Sequence, residues 1–137
     1  MPRYEICVRA RFEAAHHLTA YRGGPEAVHG HSWLVEARVA AAELGSDGYT
    51  VDFVELQSRL DALAARFRHT DINTVAPFDR SSPTTERLAE WFFGELASWL
   101  ARVDDPAAAS GARVAAVTVW EGPDCAATYF GDSTESR

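Results

Sequence analysis

Three histidines on two segments are the residues of this chain best suited to chemistry. His16 closes the segment 12–16, and His29 and His31 flank a glycine in the next segment. Neutral imidazole is a common zinc ligand, and three such ligands with one open position form a typical catalytic site. The spacing predicts Zn²⁺ at His16, His29 and His31; the alternative is a histidine-containing loop that binds no metal.

The two segments that carry these histidines are predicted to be strands. Apolar and polar residues alternate over 3–16 and again over 29–41, which is typical of half-buried strands. Side chains on a strand alternate between its faces, so His29 and His31 share one face. An antiparallel pairing of the two strands brings His16 to the same point. His17 is expected to face the other way.

Two amphipathic helices are predicted between the strand pairs. The first begins after Asp52, a good N-cap residue, and the second begins at Pro83, with Ser82 as its cap. Their predicted apolar stripes are Phe53, Leu56, Leu60, Leu63 and Phe67 in the first helix and Leu88, Phe92, Leu96, Trp99 and Val103 in the second.

Two further strands are predicted near the C-terminus, at 113–121 and 125–130. Residues 122–124, Gly-Pro-Asp, form a hairpin turn between them, and a break is expected at 104–106. The order β-β-α-α-β-β predicts an α+β fold with a four-stranded antiparallel sheet and two helices on one face.

Composition excludes several classes of protein. The 137 residues suit a single domain, 1–137, and the net charge of −7 without a basic run argues against nucleic acid or anionic membrane as a partner. No apolar run reaches membrane-spanning length and the first residues do not resemble a signal peptide, so a cytoplasmic protein is expected. Cys7 and Cys125 are then expected to be free and buried.

Six landmarks in order resemble the 6-pyruvoyl-tetrahydropterin synthase family, which includes the 6-carboxytetrahydropterin synthases. They are F-x-A-A-H, H-G-H, V-D-F, a histidine before an asparagine, P-T-T-E, and V-x-V-x-E, and they run from about residue 6 to 130. The resemblance implies the T-fold, a homo-oligomer that is a hexamer in this family, and a small-molecule pterin as ligand. It also places the zinc ligands at His16, His29 and His31.

The same resemblance implies where a pterin would bind. The family's anchoring glutamate falls on Glu121, and the pocket threonines fall on Thr84 and Thr85. A carboxylate can accept two parallel hydrogen bonds from the amino group and the ring N–H of a pterin. A strand-end glutamate in solvent and threonines that only cap a helix are the structural alternatives.

Two catalytic positions depart from the family pattern. The cysteine expected four residues before H-G-H is Pro25, although Glu26 fits the E-x-x-H-G-H spacing of one branch and is the candidate general base. The expected aspartate before His69 is Arg68, which cannot accept a proton from the imidazole. Asp71 is the nearest carboxylate that could replace it.

The departures leave two functions open. The first is a pterin-binding member of the family without ordinary synthase activity. The second is a zinc-dependent lyase that uses Glu26, with His69, on 7,8-dihydroneopterin triphosphate and cleaves its side chain towards 6-hydroxymethyl-dihydropterin. The sequence indicates what is bound better than what is done to it.

Overall fold

The computed structural model describes residues 2–103 and 110–131, and within them lie one sheet and two α-helices. The strands are β1 (Tyr4–His16), β2 (His29–Ala41), β3 (Arg113–Glu121) and β4 (Ala126–Phe130). They are antiparallel and adjacent in chain order. The helices α1 (Phe53–Ala65) and α2 (Thr85–Leu100) are separated by a short 3-10 helix, Ile72–Thr74. The predicted fold class and element order are confirmed; the break at 104–106 lies outside the described residues.

Both helices cover the same face of the sheet. Helix α1 packs against β1, and α2 packs against β3 and β4. The strand residues beneath them are apolar at every second position, as burial of one sheet face requires. The largest buried side chains of this core are Trp33, Phe12, Phe67, Phe92, Leu56 and Leu60.

The strand register brings the chemically capable residues to one end of the sheet. His16 pairs with His29, Ala14 pairs with His31, and Glu121 on β3 pairs with Trp33 on β2. Alternation then places the three imidazoles on the face that also carries the core. The end of β1, the start of β2 and the end of β3 therefore meet at the same place.

The predicted stripe of α1 is wrong at Phe53. This side chain is 56% exposed, because it lies on the first turn beside Cys7 and Gln57 at the surface. The buried residues of the helix are Leu56, Leu60, Leu63 and Ala64. Phe67 is buried as expected but follows the end of the helix.

The predicted start of α2 is also wrong. The N-cap is Thr84, whose hydroxyl accepts the Arg87 N–H at 3.1 Å, so the helix begins at Thr85. The Ser82 hydroxyl instead accepts the Thr19 N–H at 3.0 Å, which ties this segment to the loop after β1. Pro83 is therefore outside the helix.

The cysteines are free, as predicted, but they are not both buried. Cys7 is partly buried and Cys125 is exposed, because Cys125 lies in the turn before β4 and not within a strand. Across the described residues, none of the helices has the length and apolar character needed to cross a membrane.

Candidate metal and pterin site

The three histidine rings form a compact cluster at the end of the sheet. Their centroids are 4.7 Å apart for His16 and His29, 5.3 Å for His16 and His31, and 4.8 Å for His29 and His31. The pairs meet edge to face, and Trp33 lies beneath His16 and His31 in the same way. The strand pairing predicted from alternation therefore does bring the three imidazoles together.

Backbone carbonyls orient two of the three rings. His16 Nδ1 donates to the Pro83 carbonyl at 2.9 Å, and His29 Nδ1 donates to the Ala27 carbonyl at 2.8 Å. A carbonyl only accepts, so the proton lies on Nδ1 and the lone pair lies on Nε2 of each ring. Bonds of this kind fix the tautomer of metal-binding histidines.

Glu121 enters the same cluster from β3. Its Oε1 lies 2.9 Å from His31 Nε2 and 3.8 Å from His16 Nε2. Its other oxygen, Oε2, accepts the Thr85 hydroxyl at 2.6 Å. One ligand atom from each of the three histidines and from Glu121 lies within 4.8 Å of the others.

The residues present fit a divalent transition metal. Three imidazoles and one carboxylate are a donor set that zinc accepts. Nε2 of His16 and of His31 are buried and have no hydrogen-bond partner, which is costly unless another group occupies the space between them. The group could therefore hold a metal ion.

The electrostatics of His16 favour the neutral form that a metal requires. Burial lowers the pKa of His16, and although the hydrogen bond to the Pro83 carbonyl and the Glu121 carboxylate act in the opposite direction, the net shift is downward. His16 is 1% exposed. Near neutral pH its Nε2 is therefore available as a ligand atom.

Glu26 lies beside this cluster. Its backbone N–H donates to the Leu18 carbonyl at 3.0 Å, and its Oε1 accepts the Leu18 N–H at 2.9 Å. The two bonds fix the loop before β2 and leave Oε1 at 3.8 Å from His29 Nε2. The carboxylate is thus near the proposed metal ligands but already satisfies one backbone donor.

His69 and its neighbours lie along the outer edge of β1. The His69 N–H donates to the Glu13 carbonyl at 2.7 Å, and its side chain is exposed. The Arg68 guanidinium donates to the Arg11 carbonyl at 3.4 Å, and the Asp71 carboxylate accepts the Asn73 N–H at 3.1 Å. Within the described residues, no carboxylate contacts the His69 ring. His69 also has φ 57, in the left-handed region.

Two groups of residues that the sequence indicates separately are joined in the structure. The family resemblance places Glu121 in a pterin pocket, yet its carboxylate reaches the histidines directly. Its position at the end of β3, on the face that also carries Val117 and Val119, was a usable indication of this. Of the two threonines, only Thr85 contacts Glu121, whereas Thr84 caps α2. No pattern in the sequence indicates that the Pro83 carbonyl orients the His16 ring.

His17 faces away from the cluster, as alternation predicts. Its ring borders a separate surface depression that includes Asn73 and Asp79. The backbone of His17 is held by Asn73, whose side chain both accepts its N–H and donates to its carbonyl at 3.0 Å. His17 is therefore not a candidate ligand.

Comparison with known proteins shows the family to which the chain belongs. A family model described as 6-pyruvoyl tetrahydropterin synthase matches residues 5–132, and the chain belongs to this family. A relative from Pyrococcus furiosus, dihydroneopterin monophosphate aldolase, is 33% identical over 86 residues, which are 63% of this chain and 68% of the relative.

Solved structures of the family have the same architecture. The Caenorhabditis elegans 6-pyruvoyl tetrahydropterin synthase superposes with a TM-score of 0.73 at 19% identity, covering 94% of this chain and 96% of that one. The Plasmodium vivax synthase gives 0.70 at 21% identity, covering 94% and 98%. At this level of identity the likeness establishes the T-fold.

Proposed function

We propose that this protein binds a dihydropterin, with the flat ring anchored by Glu121 and the side chain directed towards the three histidines. The observation that carries the proposal is the position of the Glu121 carboxylate, which is held by Thr85 and lies beside the imidazole cluster. A carboxylate at the edge of a pocket recognises the paired N–H donors of a pterin. Bound Zn²⁺ would polarise the side-chain hydroxyl groups.

Glu26 supports side-chain cleavage as the reaction, in preference to ordinary synthase chemistry. A base that removes the proton from the 2′-hydroxyl allows the C1′–C2′ bond to break, leaving an aldehyde at C2′. The electron pair passes into the pterin ring system, and a proton then returns to C1′. Glu26 is held near the cluster by Leu18 and is the carboxylate available for this transfer.

Three further observations favour cleavage of the pterin side chain over ordinary synthase activity. The Pyrococcus furiosus relative is an aldolase of dihydroneopterin monophosphate by name. Arg68 turns towards the Arg11 carbonyl, and Asp71 caps the 3-10 helix, so neither supplies a carboxylate to His69. Within the described part of the chain, the Asp-His pair of the family pattern is therefore not assembled. A phosphorylated dihydroneopterin is the proposed substrate class.

The experiment that tests binding compares wild type with Glu121→Ala in titrations with neopterin. Loss of the carboxylate leaves the ring's donors without their charged acceptor, which costs about 2–5 kcal/mol where the bound ring excludes water. Glu55→Ala, which removes an exposed acid on α1, is the control and should bind like wild type. If Glu121→Ala binds neopterin as tightly as wild type, the proposed pterin pocket is wrong.

Turnover is measured separately, with dihydroneopterin monophosphate and triphosphate as substrates. Appearance of 6-hydroxymethyl-dihydropterin supports the cleavage reaction. Release of triphosphate with formation of a 6-pyruvoyl product would instead show ordinary synthase activity. Pterin binding without any product leaves a binding protein as the function.

A further inference from the structure

We propose that Glu121 serves two partners in turn: its carboxylate closes the metal site while the pterin pocket is empty, and the arriving ring withdraws it. The inference rests on the proposed function and adds a control of metal coordination to it. Glu121 also contacts helix α2 itself, through the Thr85 hydroxyl, whereas His16 contacts the Pro83 carbonyl just before the helix. It therefore connects the two halves of the site.

The distances in the cluster fit shared coordination. In a tetrahedral site with bonds of about 2.0–2.1 Å, neighbouring ligand atoms lie about 3.4 Å apart. The Oε1 atom of Glu121 lies 2.9 Å from His31 Nε2 and 3.8 Å from His16 Nε2. These two values lie on either side of the expected separation, so small shifts would complete the arrangement.

At His16, a simple hydrogen bond does not explain the contact with Glu121. The Nδ1 proton of His16 is committed to the Pro83 carbonyl, so His16 Nε2 presents a lone pair towards a carboxylate oxygen. The His31 Nε2 atom lies close to Oε1 and yet has no hydrogen-bond partner. The His16 lone pair and the carboxylate oxygen repel one another unless a cation lies between them.

The two oxygens of Glu121 have different partners in this state. Oε2 accepts from Thr85, and Oε1 faces the histidines. Bidentate recognition of a pterin requires both oxygens to face the ring donors. Oε1, which faces the histidines here, would have to turn towards the ring donors, so ring binding and metal closure compete for this oxygen.

Competition for Glu121 predicts the direction in which the pterin ring and the metal change each other's affinity. If the ring weakens metal binding, the metal weakens ring binding by the same factor, since the two equilibria are linked. The substrate differs from the bare ring because its side-chain hydroxyls can occupy the ligand position that Glu121 leaves. Unsubstituted pterin should therefore oppose zinc, whereas neopterin should oppose it less or not at all.

The test measures zinc affinity by chelator competition, with and without saturating unsubstituted pterin, and repeats the comparison with neopterin. For wild type we expect pterin to weaken zinc binding by about 5-fold or more, within the range usual for coupled sites. The visible spectrum of the Co²⁺-loaded protein should change when pterin is added, because the ligand set changes.

Two variants separate ligation from simple charge. Glu121→Gln should bind zinc at least about 10-fold more weakly than wild type and show an altered Co²⁺ spectrum. Glu13→Gln removes a carboxylate of β1 that accepts the Ser32 hydroxyl at 2.6 Å on the other face of the sheet, and it should keep zinc affinity within about 3-fold and the Co²⁺ spectrum unchanged. Circular dichroism of both variants checks that they fold.

The outcomes that overturn the inference differ from those that overturn the function. If wild type binds pterin equally well with and without zinc, or if Glu121→Gln matches wild type in zinc affinity and Co²⁺ spectrum, Glu121 is not a switching ligand. Pterin binding would then remain intact. If wild type binds no pterin at all, the proposed function fails, and the exchange at Glu121 fails with it.

Discussion

At the scale of single residues, the proposed function gives binding and proton transfer to different groups. Glu121 would recognise the pterin ring, which persists through the proposed reaction, so it would contribute binding in both ground and transition states. Glu26 would act only while a proton moves. This difference gives the two kinds of residue distinct kinetic signatures.

Glu26→Gln should therefore reduce turnover by about 10²- to 10⁴-fold and leave neopterin binding nearly unchanged. The glutamine carbonyl can still accept the Leu18 N–H, so the loop before β2 should keep its position. Steady-state rates and neopterin titrations on the same preparations check this. Glu55→Gln, an exposed acid on α1, is the matched control; an equal loss of binding in Glu26→Gln would contradict the role as a base.

At the scale of elements, the alternation of apolar and polar residues in the strands predicted most of the fold. Alternation over β1 and β2 predicted their buried faces, and an antiparallel pairing was expected to bring the histidines together; the structure has that pairing, with His16 opposite His29. Helix ends were less accurate, because Ser82 and Thr84 are both good caps and tertiary contact with Thr19 decided between them. The Glu121–His31 contact depends on side-chain direction across two strands, which spacing within one segment does not show.

The corrected start of α2 predicts a specific effect on stability. Thr84→Ala removes the acceptor for the Arg87 N–H and should lower the free energy of unfolding by about 0.5–2 kcal/mol. Thr84→Ser keeps a hydroxyl cap and should lie within about 0.5 kcal/mol of wild type. Urea denaturation followed by circular dichroism measures both. Equal stability of the alanine and serine variants would show that the cap contributes nothing.

On the face of the sheet away from the helices, a carboxylate is expected to make the stability of the fold depend on pH in acid. Glu36 on β2 accepts from Arg9 Nε at 2.7 Å and from Trp120 Nε1 at 2.6 Å, which links three strands. Burial raises the pKa of Glu36, but the hydrogen bonds from Trp120 and Arg9 and the charge of Arg9 outweigh it, so the pKa is lowered overall.

A carboxyl with a lowered folded-state pKa contributes stability above its unfolded-state pKa of about 4.3 and loses it as the pH falls through the folded-state value. Glu36→Gln should therefore show a smaller loss of melting temperature than wild type between about pH 5 and pH 2. Glu5→Gln, which removes an exposed partner of Arg38, is the control and should follow wild type. An unchanged acid profile in Glu36→Gln would contradict the prediction.

At the scale of the whole molecule, the sheet has two edges, β1 and β4, and several large apolar side chains at the surface. Phe130 on β4 is 70% exposed and Val54 on α1 is 75% exposed. Unpaired strand edges and exposed apolar groups favour association between copies, and most oligomers of one chain are symmetric. The family resemblance implies a hexamer.

We accordingly expect sedimentation velocity at micromolar concentration to show a single species larger than a monomer, with a mass near six chains. Phe130→Asp should shift this species towards smaller masses, because the charge would be buried against a neighbouring copy. Glu5→Gln, an exposed change on β1, should leave the mass unchanged. A monodisperse monomer for wild type would rule out the assembly.

The backbone of His69 lies in the left-handed region, which residues other than glycine rarely adopt. Glycine and asparagine adopt a φ of 57 more readily, and the left-handed conformation costs an ordinary side chain about 1–2 kcal/mol. Among the described residues, the backbone N–H of His69 is bonded to the Glu13 carbonyl, whereas its exposed ring contacts no carboxylate. Strain of this kind is concentrated at functional positions, and it favours the candidate catalytic role of His69.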